Sequence, residues 1–329
     1  MILKNKRTKS ITLLMALAAL FTLAACHRTP DEAVQLHRFD KVLFETPTAQ
    51  LQSKLMSVQS EFNTELLNLQ PNNPDFMDMV AGFVEDPTMK DIYHIVDSVF
   101  GDMKPEAEAL GKALKKAESL IPTARYDKVY TFVSGMFNYD MRVGCNSHEL
   151  IISLDQYILP YTQRYGYFNS PIFLVQQSRK DYLVADCMTA IARQNIVIPQ
   201  DRDMSLLDYM ISEGKAIYFA QQTLNEAPDS ILMRYTTDQI KWMEHNEEHV
   251  WSYFLQSKLL YETDYMRFHN FIDDAPKTNA FRDSSPRTSD YIGWHIVCQY
   301  MKNTGASMQD LFAETDAQKI LSQSNYRPK

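Results

Sequence analysis

The residues best suited to chemistry lie between Ser205 and Leu260. The segment His245-Asn246-Glu247-Glu248-His249 puts two imidazoles one helical turn apart, and its His-x-x-Glu-His spacing formally matches an inverted zinc-peptidase signature. At about 100° per residue, however, His245 and His249 point away from the apolar face formed by Ile240, Met243, Val250, Trp251 and Phe254. A zinc site needs ligands braced by hydrogen bonds in a walled cleft. The spacing therefore predicts a solvated face for His245, Glu248 and His249, with zinc binding there as the minority alternative. Glu247 lies near the centre of the apolar face instead. Glu213 is in a similar position, in line with Leu206, Met210 and Ile217. A carboxylate in an apolar stripe loses hydration worth several kcal/mol unless it is hydrogen-bonded or coordinated, so both glutamates require partners. Gly214 beside Glu213 gives up helix stability, which predicts close approach by another backbone or side chain.

Two helices must position these groups. The first opens at Ser205, with Asp208 three residues on as a capping box, and turns Asp208 and Lys215 towards water. The second opens at Thr236 with Gln239 in the same role and runs to about Leu260. Upstream, Thr48, Asp86-Pro87 and Lys104-Pro105 read as helix starts, and Pro71-Asn72-Asn73-Pro74 as a break. Between them and the site the period shifts to alternation. Segments 128–133, 136–143 and 149–154 carry β-branched and aromatic residues at strand length, and a helix follows from about Lys180 to Ile196. The expectation is an α+β fold, mostly α-helical, with one small β-sheet packed with helices. The segment Tyr291 to Met301 is apolar nearly all round and reads as a buried helix, in which His295 is a hydrogen-bonded structural residue. Tyr157, Tyr161, Tyr165 and Tyr167 suit either a ligand groove or core packing.

The amino terminus follows an export pattern. Lys4, Lys6, Arg7 and Lys9 precede the apolar run Ile11 to Leu23, and Leu23-Ala24-Ala25-Cys26 closes it. This run is short for a membrane span and ends in small residues before a cysteine, which resembles a bacterial lipoprotein signal with Cys26 as the lipidated first residue. The expected organisation is a signal peptide over 1–25, a lipidated cysteine and short tether over 26–32, a single globular domain over 33–322 and a tail over 323–329. Removing those four positive charges takes the formal net charge from −8 to −12, a poor balance for nucleic acid. Hydrophobic content of 45% with 12% aromatics is ample for a packed core. Only nine glycines occur, with no Gly-x-Ser-x-Gly elbow and no phosphate-cradling glycine loop. No cofactor is implied. Cys145, Cys187 and Cys298 are odd in number and form no Cys-x-x-Cys pair, so no disulfide framework is expected; Cys187 and Cys298 read as buried thiols.

Several segments in order carry a resemblance. They are Arg38-Phe39-Asp40, Leu154-Asp155-Gln156-Tyr157, Ser205 through Lys215, Tyr235 through Ile240, Asn246-Glu247 with Trp251, Ala275-Pro276, Ser285-Pro286 and Ile292 through Val297. Together they resemble the GldB family of gliding-motility lipoproteins of Bacteroidetes. That family in turn looks like a distant relative of predicted zinc peptidases, in which a His-Glu-x-x-His helix precedes a Glu-Gly helix bearing the third ligand. Glu213-Gly214 matches the latter, whereas the preceding helix, Val184 to Arg193, has no histidine. A further departure is Arg287, standing after Pro286 where the resemblance implies glycine.

The resemblance thus implies a zinc-peptidase-like scaffold lacking its His-Glu-x-x-His ligands, while the lipoprotein signal implies palmitate on Cys26 and, with His27 rather than Asp after it, attachment to the outer membrane facing the periplasm. It further implies a non-enzymatic role in gliding motility or the associated type IX secretion machinery, through other envelope proteins. Glu213, Glu247, Trp251, Trp294, His295 and Tyr157 are the candidate groove or buried polar residues. The competing expectation is a zinc-dependent metallopeptidase acting on envelope peptides or proteins. A third is a purely structural lipoprotein, with Glu213 and Glu247 satisfied by internal salt bridges, for instance to Arg193 or Lys215, and no cleft nearby.

Overall fold

A computed structural model describes residues 33–135, 142–159 and 171–328. The chain enters through a short strand, β1 (Leu36–Arg38), and then helices α1 (Phe39–Phe44), α2 (Thr48–Phe62), α3 (Pro74–Glu85), α4 (Pro87–Phe100) and α5 (Lys104–Leu120). The expected breaks appear where the sequence puts them. Asn73 and Asp86 cap α3 and α4 by accepting hydrogen bonds from the first-turn amides, each followed by a proline whose missing N–H is harmless at that position.

Strands β2 (Lys128–Phe132), β3 (Val143–Cys145) and β4 (Glu149–Ser153) complete a four-stranded sheet of order β1-β2-β4-β3, parallel except for the β3–β4 pair. The stretch 136–141, expected to lead the second strand, and the aromatic segment 161–168 lie outside the described residues. Alternation along β2 and β4 sends Tyr130 and Ile151 into a small core with Phe39, Leu51, Leu55 and Phe62. Their neighbours Val129, Leu150 and Ile152 enter the main core on the other face. A single 3₁₀ turn, Leu154–Tyr157, then delivers Tyr157, fully buried.

Helices α6 (Ile172–Gln176), α7 (Leu183–Asn195), α8 (Leu206–Thr223), α9 (Asp229–Leu232), α10 (Thr237–Gln256), α11 (Tyr265–Phe268), α12 (Thr288–Thr304), α13 (Met308–Ala313) and α14 (Ala317–Ser324) follow. The α+β, mostly helical expectation holds. Both predicted capping boxes are present, at Ser205/Asp208 and Thr236/Gln239.

Helix α8 is the centre of this half of the molecule and packs most extensively on α12. A Cβ on Gly214 would sit 2.7 Å from the Trp294 amide nitrogen and closer still to the Gly293 carbonyl. One on Gly293 would sit 2.5 Å from the Met210 carbonyl carbon. The two backbones therefore touch, which is the close approach that Gly214 implied. One expectation is overturned on this helix. Asp208 and Lys215, read as facing water, are both buried, because α8 is enclosed by α7, α12 and α14 rather than lying on a surface. Asp208 is held by Arg202 at 2.6 and 2.7 Å as well as by Ser205. Lys215 donates to the Glu314 carbonyl at 2.5 Å, and burial pushes its ammonium pKa down to about 8. Packing continues past residue 322: Ser324 and Tyr326 are buried.

Candidate functional site

Helices α7 and α8 run side by side and form one wall of a cleft of about 730 Å³. From α7, Asp186, Thr189, Ala190 and Arg193 face it, spaced three, four and seven residues along one stripe, while Cys187, Met188 and Ile191 turn into the core. From α8, Tyr209, Glu213 and Ile217 face it at four-residue intervals. This α7 stripe is the place where the peptidase resemblance puts imidazoles, and it presents a carboxylate, a hydroxyl, a methyl and a guanidinium.

Glu213 is paired with Arg193 in a bidentate clamp, Nε to Oε1 at 3.0 Å and Nη2 to Oε2 at 2.7 Å. Burial alone would push the Glu213 carboxyl up, but the charge and hydrogen bonds of Arg193 outweigh it and hold the pKa below the usual carboxylate value. Arg193 is raised in turn, Glu213 being the first cause. The Arg193 side chain is 57% accessible and lines the cleft.

The rest of the lining includes three further arginines, two of them paired with acids. Asp186 accepts from the Tyr157 hydroxyl at 2.7 Å and from Arg234 Nη1 at 2.6 Å, and Arg234 Nη2 donates to the Gln177 carbonyl at 2.7 Å. Arg287 donates to the Met233 carbonyl at 2.6 Å, and its Nε lies 3.0 Å from Asp274. Asp290, in the first turn of α12, lies 3.6 Å from Arg287. Burial drives the Asp290 carboxyl up to about 8, opposed by Arg287 and reinforced by Glu213. Arg287 also answers the departure noted in the sequence. It takes φ +44 and ψ +44, the left-handed conformation that glycine adopts without strain. The backbone demands what the resemblance implied, and the arginine side chain is what this chain gains by meeting it.

The fourth arginine, Arg142, lines the cleft from the entrance to β3. Its Nε and Nη2 are buried without a hydrogen-bond partner.

The candidate residues divide into two groups. Glu213 lines the cleft, and Tyr157 buttresses Asp186 from the core. Glu247, Trp251, Trp294 and His295 belong to a separate junction of α10, α12 and α14, and none of them lines the cleft. There Glu247 Oε1 lies 2.5 Å from His295 Nδ1 and accepts from the Tyr326 hydroxyl at 2.7 Å. Trp251 meets Tyr326 edge to face, and buried Trp294 donates to Gln221 at 3.2 Å. His245, Glu248 and His249 are exposed. His245 Nδ1 lies 2.6 Å from its own helix's Lys241 carbonyl, and His249 packs edge-on against Phe281. Among the described residues no group of three or more His, Cys, Asp or Glu side chains converges as a metal-ligand set, so those residues do not fit a catalytic zinc. The described cysteines, Cys145, Cys187 and Cys298, are free thiols; Cys187 is buried and Cys298 only half-buried. Periodicity missed Arg142, Arg234, Asp274 and Asp290. Pro286-Arg287 was the one local signal available.

A family model described as gliding motility protein GldB matches residues 27–328. The chain belongs to the GldB family. Membership carries involvement in gliding motility. No curated protein and no solved structure gives a significant match. No described helix is long and apolar enough to cross a membrane.

Proposed function

We propose that this GldB-family chain is a non-enzymatic lipoprotein of the outer membrane, anchored through Cys26 and facing the periplasm. In this reading it supports gliding motility and the associated type IX secretion machinery by holding another envelope protein at its cleft. The observation that carries the non-catalytic part is the Arg193–Glu213 clamp. The carboxylate that a metallopeptidase would give to zinc is committed through both oxygens to a guanidinium, and a cation of that charge in the ligand stripe repels a metal ion. The cleft persists while its chemistry is gone, which suits recognition. The short span from Cys26 to the start of the described fold reaches at most ~25 Å, which keeps the domain close to the membrane surface.

The test is complementation of a null strain in a gliding host with Ala190→Trp. This change fills the cleft from α7 without touching an ion pair. The expected result is loss of gliding with normal protein level and melting temperature. Gliding at wild-type speed with the indole in place would remove the cleft from the function. Stoichiometric zinc in the purified wild-type chain, with hydrolysis of envelope peptides, would reverse the non-catalytic reading.

A further inference from the structure

We infer that the cleft takes a ligand with a free carboxylate, as at the C-terminus of a short peptide, and that Arg142 receives it. This deepens the non-catalytic binding reading and rests on it.

The argument begins with charge pairing inside the cleft. Arg193 holds Glu213, Arg234 holds Asp186, and Arg287 is paired with Asp274. Asp290 lies beside Arg287, and Asp273 lies beside His269 while accepting from the Tyr265 hydroxyl. Arg142 is the exception. Among the described residues no carboxylate stands within ion-pair distance of it, and two of its nitrogens are buried with no acceptor. A guanidinium cannot shed its proton to escape this situation, and leaving a charge desolvated and unpaired costs several kcal/mol. Burial, and repulsion from Arg234, disfavour its charged form, opposed by attraction to Asp186 and Asp274. The lining holds five acids and four arginines, so what the fold leaves open at the wall of this cavity is not net charge but two guanidinium donors with no acceptor.

The surroundings select among anions. Asp186, Asp273 and Asp274 also face this space, so a dianion such as phosphate would gain one guanidinium and meet several carboxylates. A single carboxylate fits the open donors of one guanidinium and brings the least added charge into a lining already rich in acids. The remaining wall is aliphatic, with Leu174, Ile217, Leu232 and Ile272, which suits a ligand with an apolar body behind its charged end. The volume of about 730 Å³ lies in the range of pockets that enclose small organic ligands and short peptides.

The experiment uses the full chain in detergent and saturation-transfer NMR with two pools of N-acetylated tripeptides, identical except that one ends in a free carboxylate and the other in an amide. The free-acid pool is expected to bind the wild type roughly 10- to 100-fold more tightly than the amide pool, the ratio that one charge-assisted hydrogen-bonded contact gives. Arg142→Gln should abolish that preference, and Arg142→Lys should restore some of it. Equal binding of the two pools by the wild type overturns the inference without relying on any variant. It is also overturned by an acid preference that survives in Arg142→Gln, by absence of binding for both pools, or by inorganic phosphate displacing the acids. Mass spectrometry of the same samples separates the two readings. Cleaved tripeptides would overturn the non-catalytic proposal, whereas intact but unbound tripeptides overturn only the assignment to Arg142.

Discussion

Gly214→Ala adds one carbon at the point where α8 and α12 touch. Its new Cβ would lie 2.7 Å from the Trp294 amide nitrogen and closer to the Gly293 carbonyl, against the 3.4 Å at which ordinary contact begins. These neighbours are backbone atoms in the middle of a helix and cannot swing aside, so the helices must separate by about 1 Å. At such a gap dispersion contacts lose roughly a quarter to a half of their well, and Met210, Ile217, Ile292 and Val297, all buried, lose them together. Overpacking costs about 1–3 kcal/mol, the loosened interface adds to it, and alanine returns about 1 kcal/mol of helix propensity. The net expectation is a loss of about 3 kcal/mol. In urea unfolding followed by circular dichroism, a slope of about 3 kcal/mol per molar turns this into a midpoint lower by about 1 M. Gly82→Ala is the control, because nothing lies within 4 Å of a Cβ there. That exposed α3 position should gain about 0.5–1 kcal/mol from the same substitution. A Gly214→Ala midpoint at or above wild type, with Gly82→Ala behaving as expected, would refute the backbone contact.

Three other outcomes follow from the geometry. Lys215→Met should leave stability at pH 7 unchanged or raise it by up to about 3 kcal/mol, since it removes a buried ammonium at the expense of one hydrogen bond to Glu314. The wild type should also gain stability between pH 8 and 10.5, where the folded protein has released a proton that the unfolded chain retains; the climb should be absent in the variant when melting is followed against pH. Arg287→Gly relieves about 1 kcal/mol of left-handed strain but strands Asp274 and Asp290, so a net loss of about 2–3 kcal/mol by chemical denaturation is expected, and a stabilised variant would show that the ion pairs contribute nothing. Burial raises the Glu247 carboxyl, but the hydrogen bonds from His295 and Tyr326 outweigh it and hold the pKa below its ordinary 4.5. Glu247 therefore contributes stability above that pH and loses it as acid protonates the folded form. Glu247→Gln should flatten the acid limb of the stability curve, and an unchanged limb would exclude this cluster as its source.

Local rules carried the reading of this chain a long way. The caps at Ser205 and Thr236, the breaks before α3 and α4, the need of Glu213 for a partner and the close approach at Gly214 all depend on residues within a turn or two of one another. The errors share a different cause. A helical wheel assumes one wet side, and α8 has almost none, so it turns Lys215 and Asp208 towards water that is not there. The cleft's arginines come from the entrance to β3, α7, the link into α10 and the start of α12. No periodicity joins such distant positions, and the pairing of Arg234 with Asp186, or the isolation of Arg142, emerges only when the elements are assembled. The same limit merged two places into one groove: Glu213 and Glu247 each sit in an apolar stripe, yet they serve different junctions.

The arrangement at β1 bears on how the amino-terminal edge of the fold is held. Arg38, the last residue of that strand, grips Asp40 through two nitrogens at 3.0 and 2.7 Å, and Asp40 also accepts from Thr131 of β2 at 2.5 Å. Arg38 in turn holds the Gly101 carbonyl at 2.9 Å. The amino-terminal edge of the fold is thus tied at once to the parallel β1–β2 ladder, a buried carboxylate and the end of α4. Detaching β1 therefore requires the ladder to β2, the Arg38–Asp40 pair and the Gly101 contact to be given up together.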